Sequence, residues 1–270
     1  MTSMKNMTST KMLYFRFLSL TIRIVFTPTL RSYVHQSIQK DILTYFEPYI
    51  QKSSSHLVDY TIVVGNRKQP VSEYAQILKD NSLGVSLYKF IHSKLIETYY
   101  DISILQFHSI LFRLVMEYLK QKNSSFCLHG SSMLINDKVV IFLGKSGTGK
   151  STISHLLRDS FPPLTDDQIL IVKKKNDFLA YQLPFFSKTM YPMRNVGYKI
   201  RRVLYLHKSQ NNSLIPIILK RNSQLLKKHL TFNHHSPHVA VFGKKNELFY
   251  DLFFTKNRNS LSLLHELVSQ

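Results

Sequence analysis

Residues 144–151 read Gly144-Lys145-Ser146-Gly147-Thr148-Gly149-Lys150-Ser151, which satisfies G-x-x-x-x-G-K-[ST]. The motif lies between an apolar run, Lys138 to Leu143, and a run with Ile153, Leu156 and Leu157 at helical spacing, so it reads as strand, loop, helix. Gly144, Gly147 and Gly149 admit backbone conformations that a Cβ would forbid, and successive N–H groups can then converge on one anion at a helix N-terminus. Lys150 is expected to reach the β- and γ-phosphates of ATP, and Ser151 to offer its hydroxyl to Mg2+. Lys145 and Ser146 contribute main-chain N–H groups, and Thr148 and Thr152 complete the expected nucleotide-contacting set.

A phosphate loop needs a carboxylate nearby. Asp166-Asp167 stand immediately before the apolar run Ile169 to Val172, the reverse of the Walker B order in which the acid follows the strand. An acid pair at the start of a strand fits GTPases and motor ATPases poorly. It suits a base set against a hydroxyl substrate, with one carboxylate serving Mg2+ and the other taking the proton.

Outward from this site, Asn136-Asp137 reads as a turn between apolar runs, making a hairpin of Ser125 to Ile135 and Lys138 to Leu143. Ile104, Phe107, Leu111, Leu114, Val115 and Tyr118 recur at i, i+3, i+4 intervals. They predict a long helix ending near Lys122, with Asp101 or Ser103 as N-cap. Lys11 to Phe26 is Arg-interrupted but rich in β-branched and aromatic residues, so it reads as one strand rather than a targeting signal. Leu57 to Val64 reads as another, followed by a polar connection over Asn66 to Pro70. The expected organisation is a smaller α+β portion over residues 1–100 and an α/β domain over 101–270.

The chain has 270 residues, with 36 Lys+Arg against 16 Asp+Glu and a formal charge of +20. Its single cysteine excludes an internal disulfide framework, and its eight glycines and nine prolines exclude collagen-like chains and long flexible linkers. No uncharged apolar stretch is long enough to span a bilayer, because Arg16 and Arg23 interrupt one run and Arg113 and Glu117 the other. A cytoplasmic location is the simplest expectation. Between Asp177 and Glu247 there is no acidic residue, whereas twelve Lys and Arg fall there, including Arg194, Arg201, Arg202 and Arg221. Such a face should attract an acidic or anionic partner.

Leu128-His129-Gly130, the hairpin, GKSGTGKS, a helix and then Thr165-Asp166-Asp167 together resemble the catalytic core of HPr kinase/phosphorylase, whose P-loop fold is related to ATP-type phosphoenolpyruvate carboxykinase. More closely, the chain resembles the HPr-kinase-related proteins of lasso-peptide biosynthesis, in which an opening strand like Tyr14 to Phe26 and a segment like Leu183-Pro184-Phe185 recur. The resemblance implies an HPr kinase/phosphoenolpyruvate carboxykinase-like P-loop core. His129 would be the active-site histidine, Lys150 and Ser151 the P-loop lysine and magnesium serine, and Asp167 the base that takes the substrate serine's proton. Asp166 would orient His129 or assist the metal, and a homo-oligomer would be in keeping with the family. Two elements depart from it. The family's Glu that serves Mg2+ downstream of the Asp pair has no match, since no acid falls between Asp177 and Glu247, and the later catalytic arginine has no secure counterpart, Arg194 being the best match.

The expected function is therefore an ATP-dependent kinase acting on a hydroxyl, foremost a Ser of a peptide or small protein of the lasso-precursor kind. Alternatives of the same residues are a kinase of a sugar or amino acid, a nucleotide-dependent nucleic-acid-binding protein suggested by the +20 charge, and a module that binds ATP without turnover. His234-His235-Ser236-Pro237-His238 has no neighbouring Cys or carboxylate and is read as no metal site. Cys127, in an apolar run, is read as packing.

Overall fold

Side chains that alternate in and out build the first sheet. The computed structural model describes residues 11–28, 32–66, 75–77, 85–185, 191–255 and 261–269. Residues 1–10, Lys188 and most of the Asn66 to Pro70 connection lie outside them. The chain divides into two compact units, Met1–Tyr118 and Leu119–Gln270, so the division falls within the long helix rather than at residue 100.

The first unit contains β1 (Lys11–Phe17), β2 (Leu20–Phe26), α1 (Ser32–Tyr45), β3 (Ile50–Gln51), β4 (Tyr60–Gly65), the short pair β5 (Ala75–Ile77) and β6 (Val85–Leu87), β7 (Lys89–His92) and β8 (Leu95–Tyr99). Its six-stranded sheet has the order β3-β1-β2-β4-β8-β7. The expected single strand over 11–26 is instead the hairpin β1–β2, with Phe17 opposite Leu20 and a two-residue turn whose Leu18 sits at φ +55°. Burial changes phase across that turn. Leu13, Phe15 and Phe17 are buried before it, and Leu20, Ile22, Ile24 and Phe26 after it. β2 pairs in parallel with β4, and β4 with β8. The helix α2 (Ile104–Lys122) follows, opened by reciprocal caps in which the Ser103 N–H donates to Gln106 Oε1 and the Gln106 N–H to Ser103 Oγ.

The second unit begins with β9 (Ser125–His129), β10 (Ser131–Ile135), β11 (Lys138–Leu143), α3 (Lys150–Leu157), β12 (Pro163–Thr165), β13 (Gln168–Lys174) and β14 (Asp177–Gln182). It ends with β15 (Gly197–Lys208), β16 (Ser213–Pro216), α4 (Leu219–Lys227), β17 (Leu230–Phe232), α5 (Pro237–Gly243), β18 (Phe249–Phe254) and α6 (Leu261–Ser269). The expected strand 125–135 is broken at Gly130, because its halves pair with different partners. β9 lies between β13 and β17, whereas β10 lies between β11 and β12. The Asn136-Asp137 turn forms as read, with both residues at positive φ, +50° and +58°. The helix expected over 151–160 is shorter, starting at Lys150 and ending at Leu157.

The twelve-residue β15 joins the two halves of the sheet. Its first part pairs antiparallel with β14, and its second runs parallel to both β11 and β18. One face of β11 and β15, through Ile141, Leu143, Val203 and Tyr205, packs with β9 and β13 and with Leu226 and Phe242 of α4 and α5. The opposite face, through Val140, Phe142, Leu204 and Leu206, is covered by Ile153 and Leu157 of α3 and Val268 of α6. The fold is mixed α/β with large sheets. The ends of β11, β15 and β18 emerge together at one edge of this core.

Candidate active site

β11 is buried from Val139 to Leu143 and gives way directly to the glycine loop, after which α3 begins at Lys150. Gly147 and Gly149 hold φ of +79° and +106°, in the region that favours glycine. A Cβ at Gly149 would stand 2.6 Å from Phe254 Cζ, and one at Gly144 would meet Thr148 Oγ1. Thr148 Oγ1 donates to the Lys145 carbonyl at 2.9 Å, tightening the loop. Lys150 Nζ donates to the carbonyls of Gly144 at 2.7 Å and Lys145 at 3.2 Å, so the ammonium caps its own loop. Lys145, Ser146, Gly147 and Ser151 are exposed, whereas Thr148, Gly149, Lys150 and Thr152 are half-buried.

The acidic pair meets the histidine at the end of β9. His129 Nδ1 lies 3.1 Å from Asp167 Oδ1, with the two side chains 42% and 34% exposed, open enough for a substrate to reach. Main-chain bonds fix the arrangement. Gln168 faces His129 in the β9–β13 register, the Gly130 N–H donates to the Asp167 carbonyl at 2.9 Å, and the His129 N–H donates to the His229 carbonyl at 2.6 Å. Asp167, rather than Asp166, thus partners the His129 ring. Asp166 is half-buried, and its Oδ1 is buried with no hydrogen-bond partner. A carboxylate oxygen in that condition fits a cation that would satisfy it. Among the described residues no three His, Cys, Asp or Glu gather as a ligand set, so a metal here would depend on few protein ligands.

His229 is a site residue that the motif reading missed. It follows Lys227-Lys228 and looks in sequence like part of a basic surface, yet it is 9% exposed. Burial, reinforced by the Lys150 ammonium, His129 and Lys228, lowers its imidazole to about 4, so it is neutral at pH 7. Its ring lies 5.9 Å from that of Tyr205 and feels the charges of the loop lysine and the β9 histidine. The nearest signal in sequence is its position just before β17, a strand visible only through its pairing with Leu128.

Arg194 is held at the same end of the sheet. Its N–H donates to Gln182 Oε1 at 2.8 Å, and Gln182 lies opposite Ile169 at the start of β13. Cys127 is fully buried in β9, and burial pushes its thiol up to about 12, which leaves no thiolate for nucleophilic chemistry.

The family model of the SynChlorMet cassette protein ScmC matches residues 95–228. That is just under half of the chain and includes His129, the 144–151 loop and Asp166-Asp167, but neither His229 nor β18. No curated protein matches. Among solved structures, the HPr(Ser) kinase/phosphatase from Coxiella burnetii is 14% identical, with 53% of this chain and 93% of that chain covered and a TM-score of 0.31. No helix among the described residues is long and apolar enough to cross a membrane.

Proposed function

We propose that the chain is an ATP-dependent phosphotransferase with an HPr-kinase-like P-loop core, which moves the γ-phosphoryl group to a hydroxyl, foremost a Ser of a peptide or small protein. The observation that carries this reading is the His129–Asp167 pair at 3.1 Å, set at the end of β9 and just before β13 in the unit whose β11 runs into the glycine loop. Neither half alone specifies transfer. A loop binds phosphate, a carboxylate accepts a proton, and the two together suit a hydroxyl attacking a bound triphosphate.

The triphosphate would take up the N–H groups of Gly147 to Ser151, and Lys150 would exchange the Gly144 and Lys145 carbonyls for phosphate oxygens. Ser151 Oγ and Asp166 Oδ1 would hold Mg2+, which supplies neutralisation of phosphate charge when bound. Asp167 accepts the proton of the acceptor hydroxyl as its oxygen bonds to phosphorus and the bond from phosphorus to the ADP oxygen breaks. His129 holds the Asp167 carboxylate in line for that transfer. Neutral His229 adds no further cation to the surroundings of Lys150 and His129.

The anion-attracting span from 178 to 246 supports an acidic acceptor. Incubation with γ-labelled ATP, Mg2+ and Ser-containing peptides, with Asp167→Asn as control, tests the reading. Label that appears on peptide and vanishes in the control supports it, and ATP binding without transfer to peptides or small hydroxyl compounds refutes it.

A further inference from the structure

A second group of chemistry-bearing side chains lies on the same edge of the sheet, built by the register of β15 against β18. Tyr205 pairs with Asp251 and His207 with Phe253, so all four stand on one face, at the ends of strands that run parallel to β11. Leu143, the last residue before the glycine loop, pairs with Tyr205, and Phe254 reaches Gly149. The group therefore neighbours the loop, one strand away.

Its centre is Asp251, which is 7% exposed. One carboxylate oxygen receives His207 Nε2 at 2.6 Å, and the other accepts from Arg221 Nη1 at 3.0 Å. The His207 ring is further held by stacking on Phe253, at 4.7 Å between centroids and 20° between planes. Both side chains are thereby fixed through a single nitrogen each. Among the described residues, His207 Nδ1 and the remaining Arg221 donors make no hydrogen bond, and both side chains stay open to solvent, at 35% and 54%. Tyr205 is the independent observation. It is 4% exposed, and its hydroxyl is buried with no partner, beside Asp251 and Arg221. Burying an unpartnered hydroxyl is costly unless something arrives to use it.

We propose that Arg221, His207 and the Tyr205 hydroxyl form an oxyanion subsite, with Asp251 as the buried residue that orients the two nitrogen donors. A phosphoryl or carboxylate group suits it, because a guanidinium fork and a phenol present N–H and O–H donors to oxygens, and the imidazole, whose Nε2 faces the Asp251 carboxylate, adds an Nδ1–H donor when the ring carries both protons. Two sources supply such a group: the phosphate tail of the nucleotide, or an anionic group carried by the acceptor beside its hydroxyl. Naming these sources rests on the phosphotransfer reading. Binding of the anion itself does not.

The test is calorimetric titration of inorganic phosphate into the full chain, alone and saturated with a non-hydrolysable ATP analogue. Phosphate that still binds with the analogue present, about tenfold more weakly in Arg221→Gln and several-fold more weakly in Tyr205→Phe, supports the subsite and assigns it to the acceptor. Phosphate displaced by the analogue, with Arg221→Gln weakening the analogue by the same factor, supports it and assigns it to the nucleotide. Tyr205→Phe removes only an unpartnered hydroxyl, so it keeps the fold, its melting temperature does not fall, and the ligand readout stands apart from any structural role. Unchanged phosphate and analogue affinities in both variants overturn the subsite. An analogue that fails to bind, while phosphate binding is lost in Arg221→Gln, refutes the phosphotransfer reading and leaves the subsite standing.

Discussion

His129 and Asp167 are joined twice, by the 3.1 Å contact of Nδ1 with Oδ1 and by the main-chain bond from the adjacent Gly130 N–H to the Asp167 carbonyl at 2.9 Å. The second link positions the first. A carboxylate at the head of β13 would otherwise be free to turn to solvent, since Asp167 is itself only half-buried.

Asp167→Asn keeps the volume and the main-chain link but removes the proton acceptor. Nucleotide affinity should stay within about twofold, while transfer falls by about 10²- to 10⁴-fold. Single-turnover transfer from labelled ATP, alongside nucleotide titration, checks this. A fully active variant would show that another group takes the proton.

Lys150 donates its ammonium to two loop carbonyls. Lys150→Ala should therefore weaken ATP binding by about tenfold or more while lowering stability by no more than about 1 kcal/mol, since the lost bonds are partly replaced by water. Titration of ATP and urea unfolding of the same sample separate the two effects. A large loss of stability with ATP affinity intact would make the lysine a structural cap.

The neutral burial of His229 has a pH signature. Its folded value, about 4, lies below the ordinary 6.5, so the unfolded chain binds more protons between these limits. Stability is then full above pH 6.5 and is lost as pH falls towards 4, with a slope of about 1.4 kcal/mol per pH unit from this one group. His108 in the first unit, lowered by burial to about 4, adds the same slope there. Urea unfolding at pH 7, 6 and 5 measures it, and His229→Gln should flatten the dependence of the second unit while leaving that of the first. An unchanged slope would mean that His229 is protonated in the folded chain.

How far the sequence reaches depends on the range of the interactions. The glycine loop, the cap at Ser103 and the Asn136-Asp137 turn are legible because each is set by residues within a few positions of one another. The β1–β2 hairpin was missed because Leu18-Ser19 carries no Gly, Asn or Asp to take the positive φ, although the shift of apolar residues from odd to even positions marked it. Gly130 looked like one residue within a strand. It is a change of partners at a crowded point, where a Cβ would stand 2.7 Å from the Phe142 carbonyl oxygen. His229 and the His207–Asp251–Arg221 group depend on register between strands and helices distant in sequence, which no local pattern reports.

Leu18 offers a test of the missed turn. A leucine at φ +55° occupies a region that costs L-residues about 1–2 kcal/mol. Asn is tolerated there, so Leu18→Asn should stabilise the first unit by about 0.5–1 kcal/mol after the loss of some apolar contact from a half-buried side chain. Denaturant midpoints compare the two. Destabilisation would mean that the packing of Leu18 outweighs its backbone strain.

Gly149 carries two constraints that can be separated. Its φ of +106° disfavours any Cβ, and that Cβ would also stand 2.6 Å from Phe254 Cζ at the end of β18. Gly149→Ala should therefore cost about 1–3 kcal/mol and weaken ATP binding by tenfold or more, because the loop N–H groups must turn to relieve it. Phe254→Leu in the same chain removes the steric contact but not the backbone constraint, so the double variant should recover part of the stability and little of the ATP affinity. Double-mutant analysis of unfolding and ATP titration reads the two terms independently. Full recovery of ATP affinity would make packing against β18 the reason for glycine here. Wild-type ATP affinity in the single variant would show that the loop does not cradle phosphate.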